Sequence, residues 1–326
     1  MDIGGETKIM KSGMKVNKGK VLQQLATFGS LIIMVIFFSL TSQYFFSLTN
    51  FITIALQTAV VGIIAIGMTF VIITGGIDLS VGSIVAFSGV ITGLALKTGM
   101  PMVMAIIIGL LTGTLCGLIN GVLISKANLP PFISTLGLMM MGRGLVLAIT
   151  NGIPVSGLSD SYASISGGSV MGIPNPVIFL IILAVIFSFI LKKTIIGKYT
   201  YAVGSNEDAS KLSGINVSKI KCFVYGVSGL LSAVSGIILS SRLISAQPTE
   251  GMGYEMDAIA AVVIGGASLM GGTGTIIGTI LGAFIMSILR NGLNMLNVSG
   301  FWQQFAVGAV VLIAVYIDSL KNKKAK

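Results

Sequence analysis

Histidine is absent from this sequence, cysteine occurs twice, and only 9% of its 326 residues are charged. Each shortage removes a class of chemistry. Without histidine, and with ten acidic residues in the whole chain, no nucleophile–base pair and no metal-ligand spacing can be traced, so no catalytic residue, metal or cofactor is expected. Cys116 lies inside an apolar run and Cys222 beside Lys219 and Lys221, which gives no disulfide framework. The phosphate-binding pattern G-x-x-x-x-G-K-[ST] is missing too. Gly19-Lys20 and Gly197-Lys198 lack both the preceding glycine and the following Ser or Thr. The chain is therefore not expected to hydrolyse ATP itself.

Low charge also decides the solvent. Soluble domains carry about 25% charged residues, whereas this chain is 54% hydrophobic, with a mean hydropathy of +1.00. Most of it is expected to face lipid. A net charge of +10 raises the question of nucleic acid, but its distribution answers against that. Lysines gather in the first twenty residues, around 192–221 and at the C-terminus, as in cytoplasmic segments under the positive-inside rule. The first apolar run starts near Val21 and lacks a small-residue cleavage site, so it reads as a span and not as a signal peptide.

Apolar runs fall near 22–43, 51–74, 80–97, 101–125, 131–150, 174–192, 221–241, 255–271, 273–291 and 302–319. The expected fold is thus an all-α, polytopic integral membrane protein of about ten transmembrane helices. Its organisation reads as a basic tail over 1–20, one membrane domain over 21–320 with a cytoplasmic loop at 193–220, and a second basic tail over 321–326. Starting from a cytoplasmic N-terminus and alternating, sixteen of the twenty Lys and Arg residues fall inside. Lys97, Arg242 and Arg290 fall outside, and Arg143 within a span. Both termini are then cytoplasmic. Gly109, Gly113, Gly117 and Gly121 recur every fourth residue in the fourth run, as do Gly274, Gly278 and Gly282 in the ninth. Such ridges admit a neighbouring helix closely. Five runs apart and oppositely directed, they hint at a five-plus-five inverted repeat, or at generic membrane packing.

Three sites carry chemistry. In GGIDLSVGS (75–83) paired glycines interrupt the apolar pattern. Asp78 either caps the next helix or is an intramembrane charge with a function, and the roles are compatible. Arg143, mid-run, needs a partner in lipid, and Asp78 is the acid available to it in a nearby run. The alternative is that Arg143 snorkels to an interface. In 197–216, Ser205 or Asn206 is placed to cap a short helix, Glu207 and Asp208 suit its N-terminal end, and Gly214 suits its stop. Such an isolated helix is a docking element or a plain connector.

Five stretches together resemble the permease subunits of ribose-type (monosaccharide) ATP-binding-cassette importers: GGIDLSVGS at 75–83, PPFISTLGLMMMGRGL at 130–145, GKYTYAVGSNEDASKLSGINVSKIK at 197–221, and the stretches 246–283 and 291–315. They occur in family order and cover most of the chain after residue 50. The resemblance implies a cassette ATPase with two nucleotide sites, an extracytoplasmic sugar-binding protein, and a second permease copy. It implies cargo entry by alternating access in a cell membrane. By the same resemblance the coupling element for the ATPase carries Gly204, Asn206, Glu207, Ala209, Ser213 and Gly214. Ser205, Asp208 and Ser210 stand where the family more often has Gly, Glu and Ala. The 246–257 stretch is the implied contact for the binding protein. Polar residues able to line a pathway are Gln57, Thr58, Asn120, Asn291 and Asn294, with Asp78 and Arg143. Each serves equally as an interhelical hydrogen bond. A nucleoside, furanosyl signal or branched-chain amino-acid cargo within the family, and an ion-driven secondary carrier or a non-transporting membrane scaffold outside it, are the alternatives.

Overall fold

The structure, a computed structural model, describes residues 18–324. Residues 1–17 and 325–326 of the two expected basic tails lie outside the described residues. Every expected apolar run contains a helix: α1 (Lys18–Thr41), α2 (Leu48–Ile73), α3 (Val81–Lys97), α4 (Met102–Ser125), α5 (Pro131–Thr150), α7 (Asn175–Lys193), α10 (Val217–Leu243), α11 (Tyr254–Ile264), α12 (Ile276–Met295) and α13 (Gly300–Lys324). Three shorter helices join them: α6 (Asp160–Gly167), α8 (Ile195–Ser205) and α9 (Glu207–Leu212).

Among the described residues seven helices are long and apolar enough to cross a membrane: α2, α4, α5, α7, α10, α12 and α13. The expected eighth run, 255–271, is helical only to Ile264. At 1.5 Å per residue α11 rises about 16 Å, half of a hydrocarbon core of about 30 Å. The glycines of 265–274 end the helix early.

Two extended breaks account for the short α11 and for α3, which has 17 residues. After α2 the chain turns at Gly75 (φ +75°), and Asp78 reaches the Ser228 hydroxyl at 2.7 Å. Ser228 also packs its backbone against Gly67. Asp78 therefore lies level with Gly67, roughly 9 Å back along α2 from its end. After α10 the mirror event occurs. The segment 244–253 turns back until Gly251 meets Gly82 and Val85, and Val85 in turn touches Gly236, well inside α10. The breaks enter from opposite ends, and Gly82 and Gly251 touch reciprocally, each backbone carbonyl lying where the other's Cβ would stand.

Packing partners repeat with the same symmetry. Helix α4 lies on α10 as α12 lies on α2, and α3 contacts α4, α5 and α10 as α11 contacts α12, α13 and α2. The first helix of each half departs from this, α1 packing on α12 and α7 on α2. Helices α2 and α10 are buried along most of their length, which accounts for their serines, threonines and glycines. The outer helices expose Leu, Ile, Phe and Met, side chains suited to lipid.

The glycine ridge of α4 sets the α4–α10 distance. A Cβ on Gly117 would fall on the Tyr225 carbonyl oxygen, and one on Gly121 would stand 2.6 Å from Cys222 Cα. Backbone atoms there have no rotamer to retreat into. Gly117→Leu is expected to separate the helices, at a cost above the 1–3 kcal/mol typical of overpacking. Size-exclusion profiles in detergent check this: the variant aggregates or vanishes from the membrane fraction, and a parent-like profile contradicts the packing argument.

Candidate functional site

At one end of the molecule α8 and α9 sit across the ends of α2 and the 265–275 loop. Thr194 caps α8 by accepting from Gly197 N at 3.2 Å. Asn206 caps α9, its Oδ1 accepting from Ala209 N at 2.9 Å. The stop at Gly214 (φ +79°) is a Schellman turn, with Gly214 N donating to Lys211 O at 3.0 Å and Ile215 N to Ser210 O at 3.0 Å. Gly204 has no room for a side chain, because a Cβ would collide with the Ile73 carbonyl oxygen and lie 2.7 Å from Gly272 N. Those two atoms form a hydrogen bond of 2.8 Å, and Tyr201 Oη donates to Gly274 O at 2.7 Å. The α8–α9 unit is thus locked to the end of α2 and to the loop before α12. Its other side, with Asn206, Asp208, Ala209, Ser213 and Gly214, is exposed, and Leu212 is 91% exposed. Glu207 is half-buried, its carboxylate 2.7 Å from Lys221 Nζ and 2.9 Å from Lys211 Nζ.

Partial burial raises the affinity of the Glu207 carboxyl for its proton, but the hydrogen bonds and charges of Lys221 and Lys211 outweigh this and hold it below the usual carboxylate range. A lowered carboxyl contributes stability above its unfolded value and loses it as pH falls through the folded one. The thermal midpoint in detergent is expected to drop modestly on acidification below about pH 4. In Glu207→Gln that component of the drop should be gone; an identical acid profile in both proteins contradicts it.

The break after α2 holds the second cluster. Asp78 is fully buried. Its Oδ1 accepts from Ser80 N at 3.0 Å and Ser80 Oγ at 2.6 Å, and its Oδ2 from Ser228 Oγ at 2.7 Å. Asn120 Nδ2 donates to Ser80 Oγ at 3.0 Å, and Ser134 Oγ to Asn120 Oδ1 at 3.0 Å. One buried network therefore ties the start of α3 to α4, α5 and α10. Asp78 is not the cap of α3: the N-cap is Ser80, which makes no side-chain cap bond, and Asp78 is a buried carboxyl two residues earlier that holds Ser80 in place.

The pair expected between Asp78 and Arg143 is not made. The valences of Asp78 are met by serines, and Arg143 Nη1 instead donates to the carbonyls of Pro248 at 3.0 Å and Glu250 at 2.8 Å. Long reach and burial of the second break put those groups, remote in sequence, beside α5. Accordingly, Asp78→Arg with Arg143→Asp should restore nothing lost in either single change, and Arg143→Ala alone should lower uptake by freeing the 245–253 segment. Uptake rates of the four proteins decide, and rescue by the double exchange contradicts these contacts.

The other pathway candidates separate. Gln57 and Asn294 line one cavity. Thr58 is fully buried and donates to Ile54 O in its own helix at 2.8 Å. Asn291 donates to Asn50 Oδ1 at 2.9 Å, tying α12 to α2. Of the implied binding-protein contact, Thr249, Met252 and Met256 are exposed, while Gly251 and Asp257 are buried. Sequence reasoning missed Ser228 and the Asp257–Arg290 pair at 2.8 Å. The repeated Ser228, Ser232 and Ser235 on one apolar helix was the available signal for a buried polar face.

Comparison with known proteins then joins these features. A family model described as "Branched-chain amino acid transport system / permease component" matches residues 50–315. The ribose import permease protein of Haemophilus influenzae is 47% identical, over 94% of this chain and 96% of its own. The ribose import permease protein of Bacillus subtilis is 48% identical, over 93% and 94%. The D-allose transport system permease protein of Escherichia coli is 39% identical, over 90% of each. No solved structure matches the chain. The match spans both extended breaks, the α8–α9 unit and the buried serine network alike, and the chain belongs to this permease family, among the ribose-type permeases of ATP-binding-cassette importers.

Proposed function

We infer that the chain is the membrane-embedded subunit through which a simple aldose, D-ribose foremost, enters a cell at the expense of ATP hydrolysed by a separate cassette ATPase with two nucleotide sites. Two copies form the permease, an extracytoplasmic binding protein delivers the sugar, and both termini face the cytoplasm. The observation that carries this reading is the α8–α9 unit. It is capped at each end, rigidly seated on α2 and the 265–275 loop, and presents an exposed face with Asn206, Ala209, Ser213 and Gly214. An ATPase closing beneath that face moves the ends of α2 and α12, and with them the breaks that meet at Gly82 and Gly251. The aldose assignment follows the ribose and D-allose permeases to which the chain is similar.

Cross-linking tests the assignment. Ala209→Cys should join to the ATPase subunit when the assembled complex is oxidised with a cysteine-bearing partner, whereas Met171→Cys, 97% exposed at the opposite end, should not. Cross-linking through Met171→Cys and none through Ala209→Cys would reverse the orientation and remove the coupling role.

A further inference from the structure

On the half of the molecule away from α8 and α9, a cavity of about 240 Å³ lies between α2, α10, α11, α12 and α13. Its walls are polar, and their hydrogen bonding is incomplete. Gln57 Oε1, Asp257 Oδ2 and Ser287 Oγ line it and are three of the five buried side-chain polar atoms without a partner among the described residues. Asp257 is 1% exposed and Ser287 3%. Arg290 donates through Nε at 3.1 Å and Nη2 at 2.8 Å, both to Asp257 Oδ1, which leaves Oδ2 unsatisfied on the cavity wall.

Buried acceptors left in this state are costly unless something enters to donate to them. Water does so when nothing else is present: the volume far exceeds the 10–15 Å³ or so that one water needs. The pattern also defines which solute replaces that water well. The acceptors are a carboxylate oxygen, an amide oxygen and a hydroxyl. The donors beside them are the amides of Gln57 and Asn294 and the guanidinium of Arg290. Asp257 and Arg290 cancel in charge, and Arg242, the other charged group of the lining, is exposed and screened by solvent, so the buried part of the wall favours neither a bare cation nor an anion. A neutral solute that carries a donor-and-acceptor hydroxyl on successive carbons meets each of these groups in turn.

We propose that this cavity, walled by Gln57, Asp257, Ser287, Arg290 and Asn294, is a contact site for a neutral polyhydroxylated solute of monosaccharide size in the outer half of the permease. The inference rests on the sugar-importer reading and adds where the sugar is touched after leaving its binding protein. It also separates the pathway candidates: Gln57 and Asn294 belong to this site, whereas Asn120 and Asn291 are interhelical ties and Thr58 bonds within its own helix.

The test uses the permease assembled with its ATPase and binding protein in vesicles, in a Cys116→Ala/Cys222→Ala background. Ser287→Cys and Gln57→Cys stand on different helices of the cavity wall and are labelled separately with a small methanethiosulfonate reagent. D-Ribose in the millimolar range is expected to slow labelling at both positions, by roughly tenfold at nine-tenths occupancy, while sodium chloride and inorganic phosphate do not. Unchanged labelling in vesicles that still take up ribose overturns the site and leaves the importer reading intact. Equal protection by phosphate overturns it in favour of an anion site. Failure of both cysteines to react overturns it by showing that the cavity is closed to solvent. Protection by ribose without any ATP-driven sugar uptake upholds the site and counts against the importer reading instead.

Discussion

Gly204→Val is expected to abolish ATP-driven uptake while the chain still inserts and assembles. The added Cβ would collide with the Ile73 carbonyl oxygen and crowd Gly272 N at 2.7 Å, the two atoms whose 2.8 Å hydrogen bond joins α2 to the loop before α12. Overpacking against side chains costs about 1–3 kcal/mol. Here the obstructing atoms are backbone and cannot rotate away, so the cost lies at or above the upper figure. At 1.4 kcal/mol per factor of ten, about 3 kcal/mol is a hundredfold loss of the locked arrangement. The α8–α9 unit then sits loosely, and motion beneath it no longer reaches the breaks. Two measurements are needed together: uptake in vesicles, expected at about a hundredth of the parent, and the rate of ATP hydrolysis, expected to continue without stimulation by loaded binding protein. Parent-like uptake by Gly204→Val would remove the mechanical role assigned to this contact.

The second large effect is at Asp78. Asp78→Leu removes an acceptor from the Ser80 N–H, the Ser80 hydroxyl and the Ser228 hydroxyl together. Each buried donor left without a partner costs about 1–3 kcal/mol. The summed loss is expected to lower the thermal midpoint in detergent by on the order of 10 °C. Asp78→Asn keeps one acceptor oxygen and should fall between the parent and Asp78→Leu. The order parent, Asn, Leu is the signature of an acceptor hub. A Leu variant as stable as the parent would show that the serines find other partners and that Asp78 is not the centre of the network.

The legible part of this protein was whatever depends on composition along one stretch of chain. Ten apolar runs located ten helices, because helices in a membrane, whether they face lipid or pack against one another, are predominantly apolar. Asn206, Glu207 and Gly214 are placed as cap, first turn and stop, because helix ends are governed by residues within a few positions. The glycine ridges marked close helix contacts, since only the absence of a side chain allows them. What the sequence did not disclose depends on where the chain turns back. Nothing in GGIDLSVGS says that Asp78 lies alongside Gly67, and nothing in the 245–253 segment says that Gly251 reaches Gly82. Once those returns exist, Arg143 meets the carbonyls of Pro248 and Glu250 in place of Asp78, and Asp257, at the end of the 246–257 stretch, is buried against Arg290. The expected eighth run was drawn too long for the same reason: Gly265 and Gly266 are apolar by composition, yet they begin the loop that seats α8. Pathway residues were the least legible. A buried Asn that ties two helices and a cavity-lining Asn have identical local sequence requirements, and Asn291 and Asn294 fall on different sides of that division three residues apart.

The central claim is that this chain passes a sugar only when a separate ATPase drives it. Vesicles containing the purified permease, with and without the ATPase and the binding protein, measure it directly by the uptake of labelled D-ribose. The account predicts uptake with all components and ATP, and none when any one is omitted. Uptake by the permease alone, driven by a proton or sodium gradient, would contradict it.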